Sequence, residues 1–226
     1  MIPIRDEIKA RRFPLINSLL ILVNIFVFLI EWLFLSTQGD AFFYQFAFIP
    51  SQFLASPISF RNISNIFTAM FMHAGILHLA GNMLYLWIFS DNIEDALGHL
   101  PYLVFYLFGG IAATLVHVLT NPFSVIPTVG ASGAIAAVLG AYLVLYPQSR
   151  VLTFIPFGNF VTLKLIPASI VLGVWFIMQL FSGVLSLGGP DVGGVAFWAH
   201  IGGFVTGALL AIIFRKRRSP KQLRGW

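Results

Sequence analysis

The chain has 226 residues, of which 58% are hydrophobic and only 9% charged, and it contains no cysteine. That is more apolar surface than a soluble domain buries in one core, so a soluble protein is excluded, and with it disulfides and thiolate zinc sites. The net charge of +5 comes from Lys and Arg clustered beside apolar runs, which makes it a feature of membrane topology and leaves no nucleic-acid footprint.

Six apolar segments are predicted to span the bilayer as helices, at roughly 15–35, 67–90, 101–119, 130–146, 166–187 and 196–214. The alternation of an outer-membrane barrel is absent. The expected fold is therefore an all-α polytopic bundle of six transmembrane helices. Residues 1–14 form a short cytoplasmic segment, 15–214 the membrane domain and 215–226 a basic cytoplasmic tail.

Along the chain, Arg5, Lys9, Arg11 and Arg12 precede the first apolar run. That run, Leu15 to Leu35, is longer than a signal-peptide core and no A-x-A site follows it, so it reads as a retained helix. Its one acid, Glu31, reads as interfacial. Arg150 and Lys164 lie between the fourth and fifth spans, and Arg215, Lys216, Arg217 and Arg218 follow the sixth. With six spans these all fall on one side and only Arg61 on the other, so both termini are expected in the cytoplasm. The RKRR run itself reads as an orientation signal, with contact to anionic lipid as the lesser alternative.

Polar residues at membrane depth are functional hypotheses by default. They are His73, His78 and Asn82 around the second span, His117 in the third, Ser132 in the fourth, Gln179 in the fifth and His200 in the sixth. No Asp lies inside a span and no HExxH occurs, which disfavours aspartyl and zinc protease chemistry and implies neither metal nor cofactor. Ser132 stands 15 residues before Pro147, which ends the fourth span, and His200 stands 15 before Arg215, which ends the sixth. Both therefore lie roughly 22 Å above the cytoplasmic boundary. His78 and Asn82, spaced i, i+4, share a helix face near that level. His117 and Gln179 belong to no motif and read as core polar groups or neighbours of the outer loops.

Small residues explain how these groups meet. Ser132, Ala136 and Gly140 repeat along one face of the fourth span, and Ala199, Gly203, Gly207 and Ala211 along the sixth. Such faces let helix backbones approach closely in lipid, which would bring Ser132 toward His200. Read alone, Ser132 is a packing residue and His200 a satisfied interior histidine. Read together they are a nucleophile and its base, with the first-turn N–H groups of the fourth helix, His78 and Asn82 as oxyanion donors.

"GASGA" (130–134), "HAGILHLAGN" (73–82) and "AHIGGFVTG" (199–207), in this order and at matched depth, resemble the rhomboid intramembrane serine proteases. The resemblance covers nearly the whole chain. It implies a Ser132–His200 dyad without an acidic third member, and an oxyanion hole of His78, Asn82 and the Ser132 backbone N–H. It also places Gly130 and Gly133 in the nucleophile motif and gives His73 a structural role. The aromatic segment 36–66 would be a partly embedded outer loop. Well-studied members carry a Trp-Arg pair there, where this chain has Ser64-Asn65, and an Arg two residues after the position of Glu94, where this chain has Ala96.

The expected function is an intramembrane serine endopeptidase that cuts single-span membrane proteins near the outer face of a prokaryotic plasma membrane. Its partners are those substrates and the lipid bilayer, with no nucleic acid. The outer part of the fifth span and the loop 188–196 are candidates for a gate and cap. A catalytically inactive relative that binds transmembrane helices is the first alternative. A transporter using the His and Asn cluster as a relay is the second, though it lacks paired intramembrane acids and inverted broken helices.

Overall fold

The structure is a computed structural model and describes residues 1–38, 40–157, 160–187 and 194–217. Residues 188–193 of the expected cap and 218–226 of the basic tail lie outside these. In chain order come β1 (Ile2–Asp6), α1 (Leu15–Gln38), α2 (Asp40–Phe46), α3 (Pro50–Ala55), α4 (Phe60–Ala69), α5 (Ile76–Leu97) and α6 (His99–Thr120). They are followed by α7 (Ser132–Leu145), β2 (Arg150–Phe157), β3 (Phe160–Pro167), α8 (Ala168–Ser186) and α9 (Phe197–Arg217).

Among the described residues, four helical stretches are long and apolar enough to cross a membrane: Leu15–Phe34, His99–Thr120, Ala168–Ser186 and Phe197–Phe214. Helix α7 has only 14 residues, yet Ala134 through Tyr142 are all buried. A helix apolar on every side belongs in the middle of a bundle, and its neighbours enclose it. Helix α5 has the length of a span but carries Asn82, Ser90, Asp91, Asn92, Glu94 and Asp95.

Three expectations are corrected. The chain is not all-α, because β1, β2 and β3 form a three-stranded antiparallel sheet, with Ile2 opposite Phe154 and Val151 opposite Ile166. Eight-residue runs rich in Val, Ile, Phe and Thr suit strands, and Pro167 ends β3 before α8 begins. The fifth apolar helix therefore starts at Ala168, not 166. The second starts at Ile76, because residues 67–69 complete the separate helix α4 and a turn intervenes.

The segment between α1 and α5 is held by side-chain amides and hydroxyls. Asn65, which stands in place of one member of the Trp-Arg pair that the resemblance leads one to expect, is buried and donates to the carbonyls of Gln45 (3.2 Å) and Ala47 (2.8 Å). Thr68 donates to Phe46 O at 2.7 Å. At the opposite end of α5, buried Glu94 accepts from the N–H groups of Ile16 (2.9 Å) and Asn17 (2.8 Å), which the first turn of α1 leaves unpaired, and pairs with His99 Nδ1. Ala96 is buried in the core beside it, so the acid is satisfied without an arginine.

The expected small-residue contact joins α7 to α9. A Cβ on Gly203 would run into the carbonyl of Gly133 and lie 3.3 Å from Ala136 Cβ. One on Gly207 would strike Ala137 O, and one on Gly140 would strike Phe204 O. The contact line on α7 is thus Gly133, Ala136, Ala137 and Gly140, which leaves Ser132 at its upper end.

Candidate active site

Ser132 is the first residue of α7, and the chain reaches it through two anchors. Phe48 and Thr128 exchange backbone hydrogen bonds of 3.1 and 2.7 Å, and Gly130 N donates to Ala69 O at 2.8 Å. Gly130 has φ +128, a conformation open to glycine and strained for other residues. Its missing side chain also leaves a gap: a Cβ there would lie 2.8 Å from His78 Nε2 and 3.5 Å from Ser132 Oγ.

His200 lies in the first turns of α9 and is buried, with its Nε2 2.8 Å from Ser132 Oγ. Its Nδ1 is 2.8 Å from Gln179 Oε1 on α8. The ring of Trp175, one turn earlier on α8, lies 5.9 Å from the imidazole centroid at a 33° tilt. The start of α9 is pinned to α8 by a 3.0 Å hydrogen bond from Trp198 Nε1 to Gly183 O.

His78 and Asn82 both line the cavity that holds Ser132 and His200, a space of about 1370 Å³. Asn82 is buried and its Nδ2 has no protein partner among the described residues. His73 lies behind them, edge-on to His78 with centroids 5.1 Å apart. Its backbone N–H donates to Glu31 Oε2 at 3.0 Å, and its Nδ1 is 3.2 Å from Phe71 O. Glu31 is therefore not interfacial as expected: it is 1% exposed and fastens the turn before α5 to α1. The reason is an unpaired backbone donor at a chain turn, which gives a buried carboxylate a charge-assisted partner.

His117 also borders the cavity, with Nε2 3.2 Å from Thr128 Oγ1 and Nδ1 3.3 Å from Asn121 Nδ2, so it braces the segment leading to Ser132. Gln179, which the sequence suggests only as a core polar group or loop neighbour, instead touches the imidazole of His200. Its depth is the available signal: counted from 166, it stands 13 residues up, roughly 20 Å, close to the level of Ser132 and His200. Among the described residues, no three His, Asp or Glu side chains gather where they could hold a metal ion.

A hydroxyl hydrogen-bonded to an imidazole, at a helix N-terminus and beside an unpaired amide donor, can act as a nucleophile and can stabilise an oxyanion. Helices able to cross a membrane enclose a part-buried hydroxyl–imidazole pair that lines a cavity, which makes this a membrane protein with a candidate nucleophile site. Residues 61–217, more than half of the chain, match the family model described as the Rhomboid domain, and the chain belongs to the rhomboid family.

Among curated relatives, it is 32% identical over 182 residues to the "Presenilin-associated rhomboid-like protein, mitochondrial" of Bos taurus, covering 77% of this chain and 45% of that protein. It is 30% identical over 154 residues to "RHOMBOID-like protein 1" of Arabidopsis thaliana, covering 68% of this chain and 35% of that one. With "Rhomboid-like protein 11, chloroplastic" of the same plant it shares 32% identity over 155 residues, 66% of this chain and 51% of the relative. The chain thus spans about half or less of the length of these relatives. Rhomboids are generally intramembrane serine proteases, and some members are inactive.

Proposed function

We propose that this protein is an intramembrane serine endopeptidase in which Ser132 is the nucleophile and His200 the base. The observation that carries the reading is the 2.8 Å separation of Ser132 Oγ from His200 Nε2. In the first step His200 Nε2 takes the hydroxyl proton as Ser132 Oγ bonds to the scissile carbonyl carbon. The oxyanion is met by the Ser132 backbone N–H, Asn82 Nδ2 and His78. His200 then gives its proton to the leaving nitrogen as the C–N bond breaks. A water repeats the sequence on the ester and frees Ser132. His73 and Glu31 hold the donors in place from behind, and Gly130 and Gly133 keep the nucleophile motif open.

Substrates are single-span membrane proteins whose helix is weakened near the outer boundary, because a carbonyl must leave its helix before it can be attacked. Six spans, α1 and α5 to α9, would carry both termini to the cytoplasmic side. The pairing of β1 with β2 supports this, since it sets the basic N-terminal segment beside the segment bearing Arg150 and Lys164. The expected prokaryotic plasma membrane has no such support, and two relatives are called mitochondrial or chloroplastic.

The test compares wild type with Ser132→Ala and His200→Ala in liposomes, using a single-span substrate and a fluorophosphonate label. Labelling and cleavage lost in both variants establish the dyad. A folded wild type that neither labels nor cleaves identifies an inactive, helix-binding member of the family.

A further inference from the structure

Resting on the reading of Ser132 and His200 as a dyad, we infer that Gln179 is its positioning residue: its amide oxygen accepts the Nδ1 hydrogen of His200 and fixes Nε2 as the proton acceptor facing Ser132.

A neutral imidazole carries one N–H and one lone pair, and which nitrogen holds which is set by the partners. To accept the serine proton, His200 needs its lone pair on Nε2, 2.8 Å from Ser132 Oγ, and its hydrogen on Nδ1. Nδ1 faces Gln179 at 2.8 Å. Only the oxygen end of the amide accepts a hydrogen bond, so the productive tautomer and the Oε1 contact require each other. After proton transfer both ring nitrogens are donors, and the same oxygen continues to accept from Nδ1. Gln179 thus serves the imidazole in both protonation states without turning.

The chemistry of an amide also suits the location. A carboxylate in this position would be a charge held in a helix-lined interior, where the attraction to a transient imidazolium has to offset a large desolvation penalty. Among the described residues, no Asp or Glu side chain is hydrogen-bonded to His200. Glutamine supplies the directional acceptor and no charge.

The fold delivers this contact through the antiparallel register of α8 on α9. Phe176 stacks on Phe204 with centroids 4.4 Å apart, Gln179 meets His200, and Gly183 O accepts from Trp198. As α8 advances, its partners on α9 descend in step, so Gln179 can reach only the turn that carries His200. Trp175, at i−4 from Gln179, shares that face and lies against the same ring. One helix therefore fixes both the tautomer of the histidine and its tilt.

The test uses Gln179→Met, close in length but without an acceptor, and Gln179→Glu, which keeps one. In full-length protein reconstituted in liposomes, Gln179→Met should lower kcat and the rate of Ser132 fluorophosphonate labelling by about 100-fold with little change in KM. Gln179→Glu, which keeps the acceptor at the cost of a buried charge, should recover part of that loss. In nitrogen-15 spectra of histidine-labelled protein, assigned with His200→Ala, wild-type His200 should carry its hydrogen on Nδ1 above its titration range. In Gln179→Met that preference should be lost.

Wild-type rates in Gln179→Met, equal losses in both variants, or a hydrogen on Nε2 in wild type would overturn the inference. If wild type fails to label at all, the dyad reading falls instead. The wild-type spectrum, which needs no variant of Gln179 to fold, still tests the inference, because a hydrogen on Nε2 would exclude the Nδ1–Oε1 bond it requires.

Discussion

Gly207 of α9 lies against the carbonyl of Ala137 on α7, so closely that a single added methyl group would overlap it. Because this contact and that of Gly203 with Gly133 set the distance between the two helices, they also set the reach of His200 toward Ser132. Backbone atoms cannot rotate away from an added side chain, so the helices must separate. Gly207→Ala should destabilise the protein by about 1–3 kcal/mol and depress Ser132 labelling more than about 10-fold. Gly173→Ala on α8, where nothing lies within 4 Å of the new Cβ, should be neutral or slightly stabilising. Thermal unfolding and labelling rates of the two variants check the contrast.

Gly130 combines two constraints at one position. Its φ of +128 penalises any side chain, and its Cβ would intrude between His78 Nε2 and Ser132 Oγ. Gly130→Ala should therefore lose stability by about 1–3 kcal/mol. It should lose more in rate, about 100-fold or greater, because the intrusion falls where the oxyanion would sit. Initial cleavage rates measured well below the unfolding temperature separate the two effects.

Asn82 presents a buried Nδ2 with no partner among the described residues, in the cavity of Ser132 and His200. An unmet donor in such a place is unfavourable until something accepts from it. Asn82→Ala removes the donor and its penalty together, so stability should hold or rise slightly. The kcat for cleavage should fall about 100- to 1000-fold, with KM little changed, as expected for a contact made chiefly in the transition state. An unaltered kcat would remove Asn82 from the oxyanion site.

Much of this arrangement is readable from the chain because it rests on local patterns. Depth along apolar helices and a four-residue repeat of small side chains are enough to set Ser132 and His200 near each other. The sheet is hidden for a physical reason: β3 and α8 are contiguous and both apolar, and hydropathy does not register that Pro167 divides them. Glu31 misleads because its partner is a backbone N–H 42 residues away, which no side-chain pattern announces. Gln179 has a depth signal, but its meaning depends on the register of α8 against α9.

Asp6 offers a test at the sheet end of the bundle, far from the dyad. Its Oδ2 accepts from Tyr142 OH and from Asn92 Nδ2, and the same Asn92 amide also donates to Asp91 Oδ1 at 2.9 Å. Burial pushes the Asp6 carboxyl up from an ordinary 3.8 to about 6; the bonds from Tyr142 and Asn92 oppose this and the nearby Glu7 adds to it. Between pH 3.8 and about 6 the folded protein thus holds a proton that the unfolded chain has released. Stability contributed by that proton is present at the acid end and is lost as pH rises through this window. Asp6→Asn keeps an acceptor for Tyr142 and cannot ionise. Its thermal midpoint should therefore vary less than that of wild type between about pH 4 and 6 and should exceed it at about pH 7. Asp91 and Glu7 remain in both proteins, so parallel pH profiles for the two would show that Asp6 does not titrate in this range.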